Sequence, residues 1–271
     1  MPIDPGPLWD YGNPALSEQR FQAAVVSAAP DDAFILRTQI ARTHGLRKDF
    51  DKARAVLAEI EPAFAGASTE AKVMWLLESG RTWASPAHPP ALRTAENRER
   101  ARSLYMRAFE LARDARLDRL AIDALHMMVM VDNEPEQQLA WNQKAIAYME
   151  ASSQPAAKGW AGSLYNNVGY AHHLAGRYDE AITNYRKSLA AHELAGRTGN
   201  MRIAHWMIAS SLRAKGELQE ALAIQQRLER EWDADGKPDP YVYEELEHLH
   251  RGLGNEAEAT RYAAKLKAAR G

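Results

Sequence analysis

YNNVGYAHHLAGRYDEAITNYRKSL, residues Tyr165 to Leu189, places its small, aromatic and aliphatic residues where a helix-turn-helix needs them. Gly169 and Ala181 fall where two antiparallel helices would press backbone to backbone, and Gly176 supplies the turn between them. The pattern returns downstream. Gly176, Gly216 and Gly254 end three successive first helices, and Ala181, Ala221 and Ala259 open three second helices. The glycines are 40 and 38 residues apart, long enough for extended second helices. The run YRKSLAAHELAGRTGNMRIAHWMIAS then reads as a second helix ending near Gly196, a turn at Thr198 to Asn200, and the next first helix.

Taken together, Tyr165, Val168, Gly169, Gly176, Tyr178, Ala181, Tyr185 and Leu189 resemble the signature of the tetratricopeptide repeat, with His172 standing where an aromatic is usual. The resemblance implies an all-α fold, a right-handed α-solenoid of antiparallel helix pairs whose first helices line a concave face. Towards the N-terminus the pattern weakens but persists. Ile35 to Ile60 carries Ile40 and Ala41 in the tight-packing places, and Phe50 with Ala53 opens its second helix. A helix over Val73 to Trp83 pairs with Arg98 to Ala112, and one over Arg119 to Val131 pairs with Pro135 to Met149. Pro86, Pro89 and Pro90 bar a helix between the members of the former pair, so a longer loop replaces the turn.

The expected organisation is an N-terminal capping segment over residues 1–30 and a solenoid over 31–271. Six pairs fill it: 31–66, 69–115 with an inserted loop at 84–97, 117–152, 160–197, 200–233 and 239–270. Pro14 to Ala29 offers Leu16, Phe21, Val25 and Val26 to cover the first pair, and the helix from Glu256 to Ala269 covers the last.

Composition limits what the array does. Of its 271 residues 26% are charged and the formal net charge is −2, which leaves no basic stripe for nucleic acid. No apolar run reaches transmembrane length, and the opening MPIDPGPLWD lacks the form of a signal peptide, so the expectation is a cytoplasmic chain away from membranes. There is no Cys. HELAG, residues 192 to 196, begins like a zinc-protease helix, but Gly196 occupies the place of the second ligand. A site from His173, His205 and His248 would need three side-by-side helices to converge. His44, His172 and His250 read as packing residues with a satisfied ring nitrogen, and Met127 and Met130 as core unless they face outwards. No catalytic residue, metal or cofactor is assigned, and the chain is expected not to be an enzyme.

The resemblance puts function on the concave face. Residues placed there without a packing reason are Arg42, Arg81, Asp123, Asn166, Asn167, Tyr170, His173, Trp206 and Arg213. Arg42 and Arg81 read as neighbours forming a cationic end able to grip a carboxylate or phosphate. The asparagines would pair with a peptide backbone, and Tyr170 and Trp206 are hot-spot residue types. The carboxylate clamp of chaperone-binding family members is not expected, because Ile203 and Met207 stand where basic residues are needed. The leading expectation is a non-catalytic adaptor whose groove binds a peptide or protein segment. The alternatives are a regulator that senses a peptide or small molecule and, behind it, an enzyme using groove histidines. A neighbouring copy filling the groove, making a homo-oligomer, stands beside binding in trans. Arg42→Ala and Arg81→Ala are expected to leave the melting curve nearly unchanged, as exposed charges do.

Overall fold

Capping side chains and prolines cut the chain into helices. The computed structural model describes residues 3–132 and 134–270; Met1, Pro2 and Gly271 at the ends of the expected cap and array, and Asn133 within its third pair, lie outside them. Asn13 accepts a hydrogen bond from the Leu16 amide and Pro14 takes the first helical position, which starts α1 (Pro14–Val25). Pro30 opens α2 (Pro30–Leu46), and Asp49 caps α3 (Phe50–Ile60) through the Lys52 amide. Ser68 caps α4 (Thr69–Arg81) and Thr94 caps α5 (Ala95–Asp114). There follow α6 (Asp118–Met128), α7 (Pro135–Ala151), the single turn α8 (Pro155–Lys158), α9 (Ala161–Leu174), α10 (Tyr178–Leu194) and α11 (Thr198–Lys215). Last come α12 (Leu218–Ala234), α13 (Pro240–Gly252) and α14 (Glu256–Arg270). No strand occurs among the described residues. The fold is all-α, and helices adjacent in sequence pack in pairs.

The contacts divide the chain into two units, Met1–Lys158 and Gly159–Gly271. In the first unit α1 covers α2, with Phe21, Leu36 and Ile40 as their shared apolar centre and Leu8 and Trp9 packed against it. Gly80 of α4 lets the Tyr105 ring of α5 approach closely, since a Cβ there would lie 2.4 Å from Tyr105 Cε1. The Tyr105 hydroxyl donates to the Ala84 carbonyl at 2.6 Å, so the ring is held at both ends. The insertion between α4 and α5 is packed down rather than hanging free. His88 stacks on Phe50 at 3.8 Å, accepts the Ser85 amide at Nδ1 and donates from Nε2 to the Thr82 carbonyl.

The second unit has a regular beat. Gly176, Gly196, Gly216, Gly236 and Gly254 all take positive φ, between 64° and 96°, where a side chain would be strained. Two sequence expectations change here. Gly169 admits the Tyr185 ring, which would lie 2.7 Å from an added Cβ, rather than the backbone of the opposing helix. Thr198 to Asn200 form the first turn of α11, because the left-handed Gly196 and the bond from the Arg197 amide to the His192 carbonyl complete the reversal before Thr198.

Candidate functional site

In the first unit, helices α2, α4 and α6 place one face each along a cavity of about 630 Å³. Residues Glu70, Met74, Glu78 and Arg81 share a stripe of α4 at helical spacing, Gln39 and Arg42 come from α2, and Arg119 and Asp123 from α6. The N-terminal segment supplies another wall. Trp9 stacks on Tyr11 with ring centroids 4.7 Å apart and donates its indole N–H to Gln39 at 3.0 Å. The Arg42 guanidinium lies 5.8 Å from the Trp9 ring and 5.9 Å from that of Tyr11.

The charges along this cavity are knitted together. Arg42 Nη1 reaches Glu78 Oε1 at 3.2 Å, Arg81 Nη1 reaches the same oxygen at 2.5 Å, and Arg81 Nη2 reaches Asp123 Oδ1 at 2.5 Å. Burial works to lower the Arg81 pKa, but Asp123 and Glu78 outweigh it and raise the value above the ordinary arginine range. For Asp123 burial works upward, and the Arg81 and Arg42 charges overcome it, holding the carboxyl below its usual value. This overturns the expected cationic end. The two arginines are neighbours, but their charge is spent on two carboxylates of the same chain. Glu78 was missed by the sequence reading. Its signal was present, since it stands three residues before Arg81 on one helix face, a spacing at which opposite charges meet.

The second unit carries the remaining predicted residues. Asn166, Tyr170 and His173 share one face of α9 by their spacing of four and three. Tyr170 is 49% exposed, while both asparagines are half-buried. His173 Nδ1 sits 2.8 Å from the Ser211 hydroxyl, and burial, with Arg213 nearby, lowers its pKa. Arg213 clasps Glu245 through two bonds at 2.7 and 2.9 Å. Trp206 packs on Tyr241 of α13, donates to the Tyr241 carbonyl at 3.2 Å, and lines an apolar cleft of about 270 Å³ with Ile203, Met207 and Trp232.

Residues 160–230 match the family model described as the tetratricopeptide repeat. They are tetratricopeptide repeats. The fold is that of known tetratricopeptide repeat structures along most of the chain. A Signal Transduction ATPase with Numerous Domains protein with a tetratricopeptide repeat sensor, from Pyrococcus horikoshii, superposes with a TM-score of 0.72 at 12% identity, over 95% of this chain and 40% of that one. This chain thus spans about two fifths of that protein. Aspartyl phosphate phosphatase F of Bacillus subtilis gives 0.62 at 14% identity, over 96% of this chain and 67% of that one. A Rap protein complexed with Competence and Sporulation Factor gives 0.57 at 14%, over 94% and 69%. Comparison of the sequence with curated proteins gives no match.

Burial and partners decide the readings of the methionines and histidines. Met127 is buried at 5% exposure and offers no outward surface, while Met130 is half-buried beside the insertion. His250 is a packing residue, stacked on Tyr262 at 5.4 Å, yet neither of its ring nitrogens has a partner. His44 and His172 do find partners, Arg47 and Arg177 respectively. Among the described residues no group of three or more His, Cys, Asp or Glu is placed to hold a metal, and no helix is long and apolar enough to cross a membrane.

Proposed function

We propose that this tetratricopeptide repeat chain is a non-catalytic binding module and that the cavity of its first unit receives an extended peptide segment of another molecule. The observation carrying this is the cavity itself. Its 630 Å³ falls within the range of small-ligand sites, and its lining mixes an apolar floor of Met74, Leu77 and Leu120 with aromatic and hydrogen-bonding walls. Two charged residues lining the cavity, Glu70 on α4 and Arg119 on α6, enter no ion pair among the described residues and are offered to a ligand. The Rap protein of like fold, whose structure holds Competence and Sporulation Factor, supports a ligand-binding role for such an array without naming the ligand here.

The reading is tested by passing a synthetic pool of random tetrapeptides over the immobilised chain and identifying retained peptides by mass spectrometry. Retention by the wild type, weakened in Arg119→Glu with Glu70→Lys at unchanged melting temperature, supports it. A pool that passes through the wild type without enrichment rejects it.

A further inference from the structure

The insertion between α4 and α5 lines one side of a second cavity in the first unit, of about 270 Å³, and the segment joining α6 to α7 lines the other. This cavity shares no lining residue with the one assigned to peptide. Trp83, Val129 and Met130 give it apolar walls, and its charged residues are Arg93, Arg98 and Asp132. Asp132 is already engaged. Its Oδ1 takes Arg102 at 2.5 Å and its Oδ2 takes the Trp141 indole N–H at 2.6 Å, so neither oxygen is left for the arginines of the cavity. The other arginines nearby are matched as well. Arg54 and Arg100 lie over the Trp83 ring and pair with Asp51 and Glu96.

Arg93 and Arg98 differ from these neighbours, since neither enters an ion pair among the described residues. Each is tied to backbone instead. Arg93 Nε donates to the His88 carbonyl at 3.0 Å, and Arg98 Nη1 donates to the Arg93 carbonyl. These bonds hold both side chains at the insertion and leave each guanidinium one edge of two N–H groups, Nη1 with Nη2 on Arg93 and Nε with Nη2 on Arg98. Arg93 is exposed and Arg98 partly so, and both side chains are therefore open to solvent. Such an edge is matched by two oxygens of one oxyanion. A cation would be repelled, and a neutral acceptor would leave the positive charge uncompensated.

We propose that this cavity is a binding site for a small organic oxyanion, a carboxylate or phosphate ester carried on an apolar body. Arg93 and Arg98 hold the oxyanion, and Val129 and Met130 meet the body. The site is a product of the insertion, because a tight turn between α4 and α5 would remove Arg93 together with the walls that Trp83 to Pro86 supply. It is independent of peptide binding in the other cavity.

The test is a nuclear magnetic resonance titration of the intact chain with isotope-labelled methionine methyl groups, following the Met130 signal, which Met130→Leu assigns. The probes are hydrocinnamate, phenyl phosphate and the neutral hydrocinnamamide. At least one of the two anions is expected to move the Met130 signal saturably at millimolar concentration, with the amide roughly ten-fold weaker, as loss of a hydrogen bond between charged groups implies. Arg93→Gln and Arg98→Gln should each weaken that anion roughly ten-fold while leaving the amide within about two-fold. A melting curve first confirms that each variant folds, and the comparison of anion with amide needs the wild type alone. Tighter binding of phenyl phosphate assigns the site to phosphate esters, and tighter binding of hydrocinnamate assigns it to carboxylates. Equal affinity for the amide overturns the inference, as does a Met130 signal that neither anion moves. The peptide-binding reading uses other residues and survives either failure.

Discussion

The two units solve the same packing problem with different means. In the second, five helix junctions use glycine at positive φ, and each ion pair keeps at least one member partly exposed, Arg213–Glu245 included. In the first, the left-handed positions are filled by Lys48 at 66° and Arg116 at 56°, an insertion replaces one turn, and the principal ion network is buried. Regularity and interior charge thus fall in different halves. The unit that contains the residues matching the repeat model has no internal ion network of this kind among its described residues, and the unit that holds one lies outside that match.

Removing one arginine from each unit separates them most strongly. Arg81 has a side chain 13% exposed between two buried carboxylates, so Arg81→Ala should cost about 3–5 kcal/mol by leaving Glu78 and Asp123 without their shared cation. This reverses the expectation drawn from an exposed charge. Arg213 is 30% exposed and leaves one buried carboxylate, Glu245, so Arg213→Ala should cost less, about 1–3 kcal/mol. Urea denaturation of both variants gives the comparison, and equal losses would show that burial does not distinguish the networks.

A second contrast lies in the glycines that admit aromatic rings. Gly80→Ala drives a Cβ to 2.4 Å from a Tyr105 ring anchored by its hydroxyl, whereas Gly169→Ala meets Tyr185 at 2.7 Å. The Tyr185 hydroxyl has no partner, so that ring can yield more readily. Losses of about 3 and about 2 kcal/mol are expected in that order, read from the same denaturation curves. A larger loss at Gly169 would mean that the hydroxyl anchor is unimportant.

These contrasts also explain what the sequence disclosed. Gly169, Gly176 and Ala181 are legible because each is imposed by a local demand, a close approach or a left-handed turn, that few residue types satisfy. The resemblance placed Arg42, Arg81 and Asp123 at matching positions of successive first helices, and all three line the first-unit cavity. Their partners were not legible in the same way. Pairing of Arg81 with Asp123 depends on the stagger of α4 against α6, which no local pattern fixes, and Trp9 joins the cavity wall through a segment outside the repeat. Met127 is core, as its place in an apolar methionine run suggested, because neighbouring helices enclose that face of α6.

Acid should loosen the first unit at its insertion. Burial lowers the His88 pKa below the ordinary 6.5, and its neutral ring accepts the Ser85 amide at Nδ1. The folded form therefore binds a proton less readily than the unfolded one. Its contribution is complete above pH 6.5 and is lost as pH falls from there through the lower folded value. Hydrogen exchange of residues 82–94 should accelerate over that interval, and His88→Phe should flatten the dependence. His173 is lowered too, but it sits within α9 rather than in a loop, so its amides should respond less.

The smallest effect tests the turns directly and should differ in sign between the units. Lys48 is exposed and left-handed, a conformation costing a side-chain-bearing residue about 1–2 kcal/mol, part of which glycine would return as greater freedom in the unfolded chain. Lys48→Gly should therefore stabilise by about 0.5 kcal/mol. Gly216 has φ of 96° and open space where a Cβ would go, so Gly216→Ala acts through backbone conformation alone and should destabilise by about 1 kcal/mol. Opposite shifts in the urea midpoint at unchanged slope would show that a side-chain-bearing residue at the first unit's left-handed turn costs stability locally. Loss of stability in both variants would show instead that Lys48 makes a compensating interaction in the native state, and that the irregular unit is held at its turns as firmly as the regular one.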